Sequence, residues 1–193
     1  MTRLGEAHRL MLARQRHVHN LIGTGDLEQH FEDCGRALSW LAPAGRWADL
    51  GSGAGFPGLV MLARHPALQI DLVDSRQKRC AFLEQVLIAG DADRDRARVL
   101  CTRVEALESG QYDGVVSRAF APPPLVIQHA ARLVAVDGTL VMMLQADGVV
   151  PRTRHFEVFH VERYAVRNRP RQAVGLRRLA APADPEEDPN TAS

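Results

Sequence analysis

A glycine-rich turn between a short apolar run and a helical pattern constrains the fold of this chain more than any other feature. Residues 46–50 read RWADL, the turn GSGAGFPG follows, and the helical pattern continues to His65. Gly51, Gly53 and Gly55 permit the positive φ angles of a tight turn, and proline suits the first turn of a helix. Such a strand–turn–helix unit predicts a ligand site at the carboxyl end of the strand.

The same strand and helix alternation continues through most of the chain. After the first strand at 46–50, strands are predicted at 68–74, 96–104, 112–119 and 138–146, and helices at 57–65, 75–90, 105–109 and 122–135. Short loops between alternating strands and helices predict an α/β fold with a doubly wound, mainly parallel sheet of the Rossmann-like kind. Two further strands, predicted at 156–167 and 173–181, could pair at one edge of that sheet.

The ends of the chain differ in character from this α/β region. Helical spacing of apolar residues predicts helices at 4–22 and 24–41, the second capped by Thr24 or Asp26. We therefore expect an N-terminal helical cap at 1–44, one α/β domain at 45–180 and an acidic, disordered tail at 181–193.

Charge and hydropathy exclude several classes of protein. The 193 residues carry a net charge of only +1, which gives no global argument for nucleic acid. The segment 151–178 nevertheless holds eight arginines against two glutamates. No apolar run approaches the roughly 18 residues of a membrane span, and no secretory signal is visible. We expect a cytoplasmic protein that does not enter a membrane.

Cysteine and histidine spacing gives no sign of a metal site. The three cysteines, Cys34, Cys80 and Cys101, form no paired motif, and His17 and His19 fit no recognised ligand spacing. Reduced, partly buried thiols are the expected state of the cysteines.

The glycines could serve either of two nucleoside cofactors. Gly53, Gly55 and Gly58 match the dinucleotide pattern G-x-G-x-x-G, which leaves a nicotinamide-dependent oxidoreductase as one hypothesis. In the dinucleotide pattern, however, the first glycine directly follows the strand, which here would be Gly51, and the match begins two residues later at Gly53. At the mouth of the turn, Asp49 would repel a pyrophosphate but attract the ammonium and sulfonium of S-adenosylmethionine. Asp74, at the end of the next strand, suits the ribose hydroxyls of either cofactor.

Several segments together resemble one family. Six segments, in matching order along the chain, resemble the ribosomal RNA small subunit methyltransferase G family, also called glucose-inhibited division protein B. They are HNLIG, QHFEDCGRAL, DLGSGAGFPGLVMLA, LVDSRQKRCAFLEQV, CTRVEAL and YDGVVSRAFAPP. The resemblance spans residue 17 to about residue 145. It implies a class I methyltransferase that moves a methyl group from S-adenosylmethionine to N7 of a guanine in 16S rRNA of the small ribosomal subunit.

The resemblance also implies roles for particular residues. Arg103 and Arg118 would act on the RNA and the guanine, and Ala119 would touch the adenine. His30 and Asp33 would close over the cofactor or join in a hydrogen bond of helix packing. The residues expected to bind the cofactor are Asp49, Gly51, Gly53, Gly55, Phe56, Asp74, Val104, Glu105 and Arg118. Since guanine N7 offers a lone pair and carries no proton, its methylation needs no general base.

Three departures from the family pattern keep other functions open. The N-terminal helical cap is shorter than that of the family by about one helix. Ile22 stands where the family has threonine, and Gln145 with Ala146 replaces a Lys-Gly pair. A methyltransferase acting on another RNA or a small molecule, or an RNA-binding relic with little turnover, would also fit. The arginines of 151–178 could replace the missing phosphate contacts or simply form a solvated strand pair. We expect a monomer.

Overall fold

The computed structural model describes residues 2–15 and 26–180. Five helices and seven strands alternate along this part of the chain. In order they are α1 Arg3–Gln15, α2 Glu28–Ala37, β1 Gly45–Leu50, α3 Gly58–Arg64, β2 Leu68–Asp74, α4 Gln77–Ala89, β3 Ala97–Cys101, β4 Tyr112–Arg118, α5 Pro123–Leu133, β5 Val134–Gln145, β6 Phe156–Val166 and β7 Arg169–Arg178. A single 3-10 turn, Val104–Ala106, lies between β3 and β4.

All seven strands form one sheet in the order β3-β2-β1-β4-β5-β7-β6. Strands β1 to β5 are parallel, which confirms the predicted doubly wound sheet. The last two strands pair at one edge, as expected, with β7 antiparallel to both β5 and β6. Their hairpin turns at Arg167 and Asn168, whose φ angles of 47° and 63° are those of a turn matched to strand twist.

Several predicted boundaries change in the structure. Helix α1 ends at Gln15, and the rest of the predicted helix lies outside the described residues, as do Thr24, Ile22 and the tail 181–193. The N-cap of α2 is Leu27 rather than Asp26, and Asp26 lies one residue before it and accepts the N–H of Glu28 through Oδ1 at 3.0 Å. The predicted helix at 105–109 is only the 3-10 turn, and β5 begins four residues earlier than expected because α5 runs directly into it.

Helices cover both faces of the sheet. On one face α1 to α4 bury a large apolar cluster that includes Leu12, Phe31, Leu59 and Phe82. On the other face α5 covers a second cluster around Leu133. Each buried side chain of this size contributes roughly 1.5–3 kcal/mol by leaving water. Among the described helices, none is long and apolar enough to cross a membrane.

The strand order reverses between β1 and β4, and this reversal positions the site. The connection from β1 leads by way of α3 to β2 on one side, whereas β4 lies against β1 on the other side. The loops that follow the two strands therefore diverge and leave a crevice at their carboxyl ends. In open α/β sheets, ligands bind at such a crevice.

Candidate active site

A cavity of about 350 Å³ opens at the carboxyl edge of the sheet. Its walls come from the segments that follow β1, β2, β3 and β4. The lining residues are Gly51, Val73, Asp74, Ser75, Arg76, Arg79, Thr102, Arg103, Val104, Glu105, Ala119 and Phe120. This volume lies in the range of pockets that hold small molecules and cofactors.

The Asp74 carboxylate is held in one orientation at the floor of this cavity. It is only 5% exposed, and its Oδ2 accepts the N–H of Gly53 at 3.0 Å. Its Oδ1 accepts the N–H of Arg76 at 2.9 Å, and the Arg79 guanidinium donates to Oδ2 at 3.3 Å. Because a carboxylate has about four acceptor positions, Asp74 can take further hydroxyl donors while keeping its backbone contacts.

Gly51 lets the backbone approach an aromatic ring at the wall of the cavity. Its φ is +72°, and a Cβ there would lie 2.7 Å from the Phe120 ring. Any side chain at Gly51 would therefore collide with Phe120 and strain the turn. The turn between β1 and α3 is narrow because glycine occupies this position.

Asp49 lies beneath the turn, not at its mouth. The side chain is fully buried, and Oδ2 accepts the N–H of Gly58 at 3.0 Å. A Cβ on Gly58 would lie 2.6 Å from that oxygen, so only glycine fits beside it. In a dinucleotide site the N–H groups at the start of this helix face a pyrophosphate, whereas here the protein's own carboxylate occupies one of them.

The second oxygen of Asp49 has no hydrogen-bond partner among the residues that the structure describes. Burial raises the pKa of Asp49 to about 7, with the nearby Ser52 hydroxyl and the hydrogen bond from Gly58 opposing that rise. A buried carboxylate without a full set of donors gains from a cationic group placed nearby. The ammonium of S-adenosylmethionine is a group of this kind, so the residues present fit that cofactor.

Beside the cavity, Arg118 joins three elements in what we call the Arg118 cluster, formed by Arg118, His30, Asp33, Cys34 and Tyr164. Arg118, at the end of β4, pairs through Nε with Asp33 Oδ2 at 3.2 Å and donates from Nη2 to His30 Nδ1 at 2.7 Å. Its Nη1 lies 3.7 Å from the Sγ of Cys34. The Tyr164 hydroxyl donates to Asp33 Oδ1 at 2.8 Å. The cluster thus fixes α2 against β4 and β6.

The electrostatics of the cluster follow from its burial. Burial and the neighbouring Arg118 charge lower the pKa of His30, so its imidazole is neutral at neutral pH. The Arg118 guanidinium also lies 5.5 Å from the centre of the Phe56 ring, on the far side of the glycine turn. The cluster therefore adjoins the turn but does not line the cavity.

The residues predicted from the sequence fall into two groups. Those that line the cavity are Gly51, Asp74, Arg103, Val104, Glu105 and Ala119. Those that lie behind or beside it are Asp49, Gly53, Gly55, Phe56 and Arg118, and Gln145 at the end of β5 lies beyond them. His30 and Asp33 both contact Arg118, as described above. Arg79 was not predicted, although its place on the first turn of α4, five residues after Asp74, could have indicated it.

The fold is similar to those of solved methyltransferase structures. A putative methyltransferase from Escherichia coli matches 83% of this chain and 91% of its own, with a TM-score of 0.62 and 15% identity. A predicted O-methyltransferase from Agrobacterium tumefaciens matches 77% of this chain and 84% of its own, with a TM-score of 0.62 and 20% identity. These matches confirm the class I, Rossmann-like fold.

Relatives in sequence identify the family of this chain, whereas the solved structures identify only its fold. A relative from Novosphingobium aromaticivorans, named ribosomal RNA small subunit methyltransferase G, is 36% identical over 84% of this chain and 74% of its own length. A relative of the same name from Halorhodospira halophila is 37% identical over 69% of this chain and 64% of its own length. The model of the GidB family, rRNA small subunit methyltransferase G, matches residues 6–169. The chain belongs to the rRNA small subunit methyltransferase G family.

Proposed function

We propose that this protein transfers the methyl group of S-adenosylmethionine to N7 of a guanine in the 16S rRNA of the small ribosomal subunit. One observation carries this proposal: the family match over residues 6–169 includes the whole cavity and the whole Arg118 cluster. Such a substrate would place the protein in the cytoplasm. Because all of these side chains come from one chain, the site needs no second copy, and we expect a monomer.

The cavity would hold S-adenosylmethionine. Asp74 would accept the ribose hydroxyls, and Val104, Glu105 and Ala119 would surround the adenine. Asp49 would face the ammonium with its unpaired oxygen across the narrow turn of Gly51, Gly53 and Gly55. The bound cofactor supplies an electrophilic methyl group, which leaves the protein to bind, orient and exclude water.

The chemistry then requires positioning rather than proton transfer. Guanine N7 carries a lone pair and no proton, so transfer of the methyl group with release of S-adenosylhomocysteine would need no general base, and alignment would supply most of the rate. Arg103 is exposed at the mouth of the cavity, where its guanidinium can hold a phosphate or stack on a base. The Arg118 side chain is 18% exposed and pairs with Asp33 of α2. We therefore assign to Arg118 the positioning of the side chains that would hold the guanine.

The pKa of Asp49 predicts how cofactor affinity depends on pH. Since the folded-state pKa of about 7 lies above the ordinary value, ionising Asp49 costs stability as pH rises from about 4 to about 7. A bound cation opposes that cost. The affinity for S-adenosylmethionine should therefore rise several-fold between about pH 5.5 and 7.5. In Asp49→Asn, calorimetry should show weaker binding with a flat profile over this range, and an equal slope in both proteins would contradict the contact.

The hairpin of β6 and β7 predicts where the RNA backbone runs. Arg169 is exposed at the end of β7 that lies near the carboxyl edge of the sheet, whereas Arg177 is exposed near the opposite end of β7 and pairs with Thr139 in the middle of β5. Arg169→Ala should weaken binding to small ribosomal subunits and reduce the slope of log affinity against log salt by about 1. Arg177→Ala is the matched control on the same strand and should leave the slope unchanged. Equal effects of the two variants would contradict this path.

The decisive experiment is methyl transfer from labelled S-adenosylmethionine to small ribosomal subunits that lack the family's modification. The proposal predicts label at one guanine, recovered as 7-methylguanine. Bound S-adenosylmethionine without transfer to RNA would contradict the proposed substrate and leave the cofactor assignment intact.

A further inference from the structure

The tautomer of His30 is fixed by its neighbour. Arg118 can only donate hydrogen bonds, and its Nη2 lies 2.7 Å from His30 Nδ1. Nδ1 must therefore be the acceptor, and in the neutral imidazole the proton lies on Nε2. His30 consequently presents an N–H group from Nε2, on the other side of the ring from Arg118.

This N–H group has no acceptor. Nε2 is fully buried, and none of the residues described in the structure accepts a hydrogen bond from it. A buried donor left unpaired is costly, and such groups in native proteins call for an explanation in terms of strain, water or function. A ligand that brings its own acceptor would remove that cost.

The position of His30 indicates which ligand this is. The cofactor cavity lies at the carboxyl ends of β1 to β4, and Arg118 ends β4, directly before the lining residues Ala119 and Phe120. The His30 ring lies 5.4 Å from the ring of Phe56 in the glycine turn. With the cofactor in the cavity, a base that takes its methyl group would approach beside β4, next to the Arg118 cluster.

We propose that His30 determines the choice of base by donating its Nε2–H to O6 of the target guanine. This inference rests on the proposed function. O6 is the acceptor next to N7 on the same edge of guanine, and a donor directed to O6 leaves the N7 lone pair free to attack. Adenine carries an amino group in place of O6, so the same N–H would meet another donor. One contact thereby favours guanine and rejects adenine.

The test couples a change in the protein to a change in the base. His30→Phe keeps a ring of similar shape but removes the donor, and His30→Gln keeps an N–H near the position of Nε2. Each protein would methylate small subunits whose target is guanine or 2-aminopurine, which retains N7 but lacks O6. The measured quantity is the single-turnover rate with saturating S-adenosylmethionine. His65→Phe, at a half-buried position beyond the end of α3, is the matched control.

The wild-type protein and His65→Phe should methylate guanine roughly tenfold faster than 2-aminopurine, which is about the effect of one hydrogen bond. His30→Phe should lose most of this preference through a slower rate on guanine, and His30→Gln should recover part of it. Cofactor affinity should be unchanged, since His30 does not line the cavity. An equal loss of rate on both bases in His30→Phe would overturn the inference and leave the proposed function standing. Failure of the wild type to methylate guanine would overturn both.

Discussion

Replacing Asp74 with alanine is expected to weaken S-adenosylmethionine binding at least tenfold. The carboxylate is 5% exposed and is oriented by the N–H groups of Gly53 and Arg76, so it meets a ribose without rearrangement. Hydrogen bonds to a charged group are worth about 1.5–3 kcal/mol, and 1.4 kcal/mol corresponds to a factor of ten. Calorimetric titration of the purified variant measures the change directly.

Two further variants separate binding from folding in this experiment. Asp74→Asn keeps the shape of the side chain and one acceptor, and should lie between wild type and Asp74→Ala in affinity. Asp147→Ala removes an exposed carboxylate after β5, and should bind the cofactor as the wild type does. A dissociation constant unchanged in Asp74→Ala would contradict the placement of the ribose. Thermal unfolding of each variant shows whether a loss of affinity reflects a loss of fold.

Local patterns made the sheet and the cavity predictable. The strand ending at Leu50, the alternating glycines and Asp74 at the next strand end are each read from a few adjacent residues. Parallel strands bring their carboxyl ends to one edge, so these local signals were sufficient to gather Gly51, Asp74 and Val104 around one cavity. The glycine frame and the charge of Asp49 already favoured methyl transfer over hydride transfer, and the family resemblance added the RNA substrate.

Burial was the first property that the sequence did not reveal. The charge of Asp49 was correctly associated with the glycine turn, but its expected place was the mouth of the turn. In the structure it lies beneath the turn because Gly58, nine residues later, donates its N–H to the carboxylate. That contact depends on how α3 docks onto β1, and periodicity says nothing about docking. The consequence is a group whose pKa of about 7 makes it sensitive to physiological pH.

The second property that the sequence did not reveal was contact between residues far apart in the chain. Arg118 meets residues of α2 that precede it by more than 80 positions, and Tyr164 meets Asp33 across 131 positions. An arginine after a strand end predicts a charge near the crevice but not the partner of that charge. The sequence therefore indicated Arg118 as a residue of the site, while only the packing of α2 on β4 indicates that its guanidinium is already occupied. That contact also makes His30 Nδ1 the acceptor and leaves the proton of the neutral ring on Nε2.

Replacing Arg118 with alanine is accordingly expected to lower methyl transfer about 100-fold while cofactor affinity stays within a few-fold of wild type. The side chain does not line the cavity, so its loss leaves the cofactor contacts in place. It does hold His30 and α2, and a displacement of about 1 Å at the reacting base can cost a factor of 10² in rate. Single-turnover transfer and calorimetry give the two quantities.

The stability of this variant must be separated from its chemistry. Without Arg118, the Asp33 carboxylate is a buried charge whose one remaining partner among the described residues is the Tyr164 hydroxyl, and such an unpaired charge costs about 3 kcal/mol. Adding Asp33→Asn removes the charge and retains the contact with Tyr164. The double variant should therefore regain most of its thermal stability but not its rate. Recovery of the rate together with the stability would show that Arg118 only supports the fold, whereas a rate that stays low in a stable protein would assign it to the positioning of the guanine.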